Sequence, residues 1–207
     1  MKVRAGRTRR NDPEGLRSRL LDSAAKLFQE QGYNATGMRD IMAATGISSG
    51  ALHHHFPTKQ ALALAVIADR VAPDVRETWI EPVRNSGSLS KSVAEIFADL
   101  IRSIERQGYV RGCPLNNLAV ELSYASPEYR EPLQAIFGEW ETALAQRLSS
   151  TRAGARLDRA QRSAAANFVI ATYSGAMNLA KATQSASPLR SAAAMLSAWF
   201  REQGFAG

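Results

Sequence analysis

The sequence predicts an all-α fold of nine helices, and three observations carry that prediction. Apolar residues recur at intervals of three and four along most of the chain, the spacing that gives a helix one buried face. No window shows sustained alternation with β-branched enrichment, as strands would require. Pro, Gly, Ser and Asp fall at the ends of the apolar stripes, where helices start and stop.

The first helix opens at Asn11 or Asp12, a cap followed by Pro13 and the dipole-matched Glu14. Leu16, Leu20, Ala24, Leu27 and Phe28 form its stripe up to Gly32. Residues 36–56, TGMRDIMAATGISSGALHHHF, read as two short helices joined by a tight turn. Met38, Ile41 and Met42 give the first of these a buried face, and Gly46 supplies the positive φ that stops it. Ile47 plugs the corner, and Ser48 or Ser49 caps the next helix, on which Leu52 and Phe56 point inward. Two short helices with a Gly-containing turn are the helix-turn-helix pattern, whose second helix enters a DNA major groove.

Phe56-Pro57-Thr58 ends that helix, and Thr58 caps a fourth that runs to about Val71 or beyond. Pro73 is expected to kink or end it, and Pro82 with Asn85-Ser86-Gly87 to interrupt any further pattern. A strong stripe from Leu89 to Ile104 makes the fifth helix, ending near Gly108. GYVRGCPLNN is a loop, from which Pro114 starts a short helix through Leu118, Leu122 and Ala125. Ser126-Pro127-Glu128 begins a long helix to about Thr151, with Leu133, Ile136, Phe137, Trp140, Leu144 and Leu148 inward. After a break at 154–157, Asp158 caps a helix to about Thr183, and Ser187-Pro188 opens the last one to Gln203.

Composition narrows the function. With 45% apolar and 22% charged residues, this is the make-up of a globular protein with a sizeable core. The longest apolar run, 61–68, is far short of a bilayer span. No apolar segment with a cleavage site follows the basic start, so the expected location is cytoplasmic, with no membrane partner. The single Cys113 agrees with a reducing compartment. Residues 1–60 hold ten Lys/Arg against five Asp/Glu, a net of +5, whereas 61–207 hold sixteen against fourteen, a net of +2. The excess charge therefore lies with the helix-turn-helix, as phosphate binding requires. Residues 1–10 carry five cations and no acid, either an arm for the DNA backbone and minor groove or a solubilising tail.

Thr36, the run MRDIMAATGISSGALHHHFPTK and the preceding Phe28-x3-Gly32-Tyr33 resemble the N-terminal domain of the TetR family of transcriptional repressors. The resemblance runs without gaps from about Arg17 to Leu64 and is most specific over GISSGALHHHFPTKQAL. Many members have Tyr in place of His53 and Lys in place of Ser49, which leaves the operator sequence open. The resemblance implies a nine-helix fold with a DNA head (1–57) and a ligand-binding and dimerisation domain (58–207). It implies a dimer packed as a four-helix bundle through helices 158–183 and 188–203. Both are rich in small residues, from Ala164 to Ala176 and from Ser191 to Ala198, which let helix axes approach closely. A dimer also suits the chemistry, since one helix-turn-helix reads a half-site and a two-fold places two of them roughly 34–36 Å apart.

Site residues follow. Thr36, Ser48, His55 and Lys59 are assigned to phosphates; Ser49, Gly50, Ala51, His53 and His54 to base edges or the groove wall; Arg39 to either. The three consecutive His point about 100° apart on a helix and do not converge on one ion, so neither metal nor cofactor is expected. A conditional repressor needs an effector cavity, mostly apolar, for which Trp79, Phe97, Ile101, Tyr124, Phe137, Trp140, Phe168, Tyr173 and Met177 are candidate linings. GCPLNNL at 112–118, followed by Glu121 and later Phe137-x2-Trp140, resembles a subgroup with a Gly-Cys turn, some of whose members respond to electrophiles or oxidants. Cys113 is thus a ligand-adjacent or reactive thiol, lowered in pKa by a helix N-terminus and Arg111, or an inert buried one. The alternative to a ligand-responsive repressor is a small-molecule-binding helical protein with a vestigial DNA head. An enzyme is disfavoured, because all three His lie in the head, away from Cys113.

Overall fold

Nine helices and no strand occur in residues 12–205, the part of the chain that the computed structural model describes. The basic stretch 1–10 lies outside it. Asp12 caps α1 (Pro13–Gln31), its Oδ1 accepting the Gly15 N–H at 2.9 Å. Helices α2 (Met38–Thr45) and α3 (Ser49–His55) are too short to hold their shape alone. Ile41, Leu52 and Phe56 are buried against the α1 stripe of Leu20, Leu21, Ala24 and Phe28, and this packing fixes them. Gly46 ends α2 in the left-handed region at φ 68°, where a side chain would be strained.

The fourth helix corrects the sequence reading. It does not end at Pro73, nor is it interrupted at Pro82: α4 runs unbroken over 59–85. A proline removes one N–H and its ring crowds the carbonyl four residues back. Here those carbonyls belong to Asp69 and Thr78, and each lies in a wider π-helical turn, Ile67–Val71 and Arg76–Ile80. Arg70 Nη1 donates to the Asp69 carbonyl at 2.8 Å, satisfying an acceptor that Pro73 cannot.

The body adds α5 (Leu89–Gln107), α6 (Pro114–Leu122), α7 (Pro127–Ser149), α8 (Arg159–Thr183) and α9 (Ser187–Glu202). A short turn, Gly154–Arg156, links α7 to α8, which Asp158 caps in a reciprocal box with Gln161. Helix α8 packs between α7 and α9, and α9 also lies on α5. At the centre, Trp79 of α4, Phe97 of α5, Trp140 of α7 and Tyr173 of α8 meet, the two Trp tilted by 45° and the other pairs edge to face, with ring centroids 4.7–5.9 Å apart. Helix α6 stops at Leu122, short of the expected Ala125, and leaves Tyr124 in a turn with 99% of its surface exposed.

Trp140→Ala should cost about 3–5 kcal/mol in urea unfolding, since its side chain is fully buried in that cluster. Tyr124→Ala should stay within about 0.5 kcal/mol of the parent.

Candidate functional site

In the head, Ser48 Oγ accepts the Ala51 N–H at 3.4 Å and so starts α3 with its outer face free. Arg39, Ser48, Ser49, Gly50, His53 and His54 are exposed, whereas Ala51, His55 and Lys59 are half-buried. His53 Nδ1–H donates to the Pro57 carbonyl at 3.2 Å, which orients the ring and leaves Nε2 for a partner. Thr58 caps α4 by accepting the Ala61 N–H at 3.0 Å, which places Lys59 on the first turn. Lys59 Nζ stands 4.0 Å over the Tyr33 ring. Burial lowers its ammonium pKa, opposed by the nearby Glu121 and Asp40 carboxylates. Thr36 is corrected: it is fully buried, and its hydroxyl donates to the Gly32 carbonyl at 2.8 Å. It holds the α1–α2 corner and offers no side chain to a phosphate.

Head and body are joined through α6. Both oxygens of Glu121 are used: Oε1 accepts the Tyr33 N–H at 3.1 Å and Oε2 the Asn34 N–H at 2.9 Å. Gly32 permits this approach, because a Cβ there would stand 2.9 Å from Oε1 and its φ is 91°. The Tyr33 and Tyr129 hydroxyls share a hydrogen bond of 2.7 Å. At the other end of α6, Gln29 Nε2 donates to the Gly112 carbonyl at 2.9 Å, and Arg111 pairs with Glu30 at 3.3 Å. One short helix therefore grips α1 at one end and the α1–α2 corner at the other.

A cavity of about 250 Å³ opens where that first grip meets the body. Of the expected linings, Trp79, Cys113, Trp140, Tyr173 and Met177 wall it. Phe97 stands behind them, against Trp79 and Tyr173. The rest are corrections. Ile101 and Phe137 are half-buried elsewhere, while Leu100 and Ile104, beside Ile101 on α5, reach the cavity. Tyr124 faces solvent; Phe168, 46% exposed, stacks on Trp199 at 4.8 Å across α8 and α9. Cys113 caps α6, yet its thiol pKa is raised, because burial outweighs the hydrogen bonds from Asn116, Leu115 and Tyr173. Arg111 is not its activator, being engaged with Glu30 and Tyr109.

Comparison with known proteins identifies the chain. Residues 90–195 match the family described as transcriptional regulator LmrA/YxaF-like, C-terminal domain, and residues 20–66 match bacterial regulatory proteins, tetR family. A crystal structure of a TetR transcriptional regulator from Chloroflexus aurantiacus J-10-FL superposes with a TM-score of 0.80 at 32% identity, over 94% of this chain and 98% of that one. This protein belongs to the TetR family. The HTH-type transcriptional regulator in the lacX 3' region of Lactococcus lactis subsp. lactis is 29% identical over 91% of this chain and 94% of its own. The HTH-type transcriptional repressor DhaR of Mycobacterium sp. (strain GP1) is 26% identical over 84% and 86%. It is a DNA-binding transcriptional regulator of TetR type.

For a TetR regulator, the residues that sequence reasoning missed are those of the junction and the cavity mouth. Tyr129 and Asp74, and the part that Glu121 plays at the junction, depend on partners or spaces formed by segments remote in the chain. Tyr33 gave a local signal through its place in the helix-turn-helix motif, and Glu121 through the stretch that follows the Gly-Cys turn. Among the described residues no helix is long and apolar enough to cross a membrane. Because burial raises the Cys113 thiol, labelling by a disulfide reagent at pH 8 should be much slower in the folded protein than after denaturation. Equal rates in the two states would contradict that placement.

Proposed function

We propose that this regulator represses transcription by binding an operator as a dimer, and that a small molecule in the body cavity releases it. The observation that carries the reading is α6, which walls the cavity with its N-terminal end and holds the DNA head through Glu121. A ligand that displaces Gly112–Pro114 would move Glu121 with them, because nine residues of α-helix move as a unit. To release DNA it must bind the incompetent spacing of the heads more tightly than the competent one. The buried, uncharged Cys113 favours non-covalent occupancy over attack on the thiol.

In this reading the head spans 1–57 and the body 58–207, with α4 belonging to both. Ser48, His55 and Lys59 meet phosphates, Ser49, Gly50, Ala51, His53 and His54 face the groove, and Arg39 reaches either. Dimerisation uses helices 158–183 and 188–203. Support comes from Phe168, Leu179 and Met195, which leave 46, 60 and 70% of their surface to solvent on α8 and α9 of a single chain. A regulator of this kind works beside its operator, in the cytoplasm.

Selection of bound genomic fragments at moderate ionic strength should enrich one palindromic sequence, and light scattering should give the mass of two chains. Recovery of fragments at background frequency would instead favour a vestigial head. Lys59→Ala should weaken binding about equally across sequences and reduce the slope of log K against log salt by about 1. A sequence-selective loss would contradict its phosphate role.

A further inference from the structure

We propose that the effector is an organic cation, an ammonium or amidinium group on a small aromatic body whose charge is met by the Asp74 carboxylate. The proposal rests on the effector reading above and adds the chemical class. Among the described residues, Asp74 is the only acidic one walling the cavity. It also borders a second cavity of about 230 Å³ between α1, α4 and α6, with which the first shares Gln29 and Pro114. Each cavity has one Arg in its wall, and both are already neutralised. Arg111 pairs with Glu30 at 3.3 Å and Arg70 with Asp22 at 2.6 Å. None of the ion pairs among the described residues involves Asp74. The uncompensated charge at this place is therefore negative.

The other ionisable groups in the wall do not offset it. The Cys113 thiol and Tyr173 phenol are held neutral by burial, each pushed up in pKa, and the Asp74 charge acts on both. Asp74 is exposed to solvent at the cavity mouth, yet desolvation by the surrounding protein and, after it, Glu77 one turn away raise its carboxyl pKa. A bound cation relieves that cost directly, because opposite charge favours the ionised form. The same cavity is walled by Trp79, Trp140 and Tyr173, aromatic rings that suit the aromatic body of such a ligand and can attract positive charge at their faces. A neutral ligand gains at most a hydrogen bond from Asp74, without the attraction between opposite charges, and an anion is repelled by it.

The test uses the full chain carrying Trp199→Phe, so that the two remaining tryptophans both wall the cavity. Three probes of one ring and similar length are titrated at pH 7, with binding read by tryptophan quenching and calorimetry: 2-phenylethylammonium, 2-phenylethanol and phenylacetate. The cation should bind about tenfold more tightly than the alcohol, with phenylacetate weakest, and Asp74→Asn should bring cation and alcohol within about threefold. Unchanged operator binding by the Asn variant shows that it is folded. Equal affinity for the three probes, or a cation preference that survives Asp74→Asn, overturns the assignment and leaves the effector cavity standing. No binding of any probe at millimolar concentration overturns both the assignment and the cavity's role, while fragment selection still reports independently on DNA binding.

Discussion

The Glu121 carboxylate, shared between the N–H groups of Tyr33 and Asn34, is the contact on which the rest of this architecture depends. It joins parts of the chain that are 88 and 87 residues apart, and it does so with both oxygens. Hydrogen bonds to a charged acceptor contribute roughly 1.5–3 kcal/mol each, so the pair outweighs any surface ion pair at the junction. The Arg111–Glu30 pair, about one third exposed on each side, adds register more than energy. What makes the arrangement informative is its place. The same helix supplies Cys113 and Pro114 to the cavity wall, so the state of the cavity and the attitude of the head are tied to one rigid element.

Helix α4 provides the complementary constraint. Its first turn carries Lys59 beside Tyr33, and its far half carries Trp79 into the aromatic cluster. A helix with two internal prolines would ordinarily kink or break, and the two π turns accommodate them within one continuous helix. In the proposed mechanism α4 is the hinge side and α6 the grip side of one junction. An effector need only shift one relative to the other to change the spacing between two heads.

Much of the fold was legible in the sequence because helix ends are local chemistry. Asp12, Ser48, Thr58 and Asp158 accept the backbone N–H groups expected of caps, and Gly46 takes the positive φ its position required. The exposed face of α3 could likewise be read from Leu52 and Phe56 pointing the other way. Other features were not local. Thr36 looked like a surface residue until its hydroxyl met the Gly32 carbonyl. Tyr124 and Phe168 sat in helical stripes, but one lies beyond the end of α6 and the other on the outer face of α8. The helix N-terminus at Cys113 suggested a lowered thiol pKa, and burial, which sequence does not quantify, reversed the sign. Asp74 was one acid among many until the cavity gave it a context.

The most direct test places a spin label at Gly50, an exposed position with open space where a side chain would begin, in a Cys113→Ser background, and measures the distance between labels in the dimer. If Glu121 fixes the heads, the parent should give one narrow distribution, and Glu121→Ala should broaden it while the helical content is retained. A distribution of the same width and centre in Glu121→Ala would contradict the account.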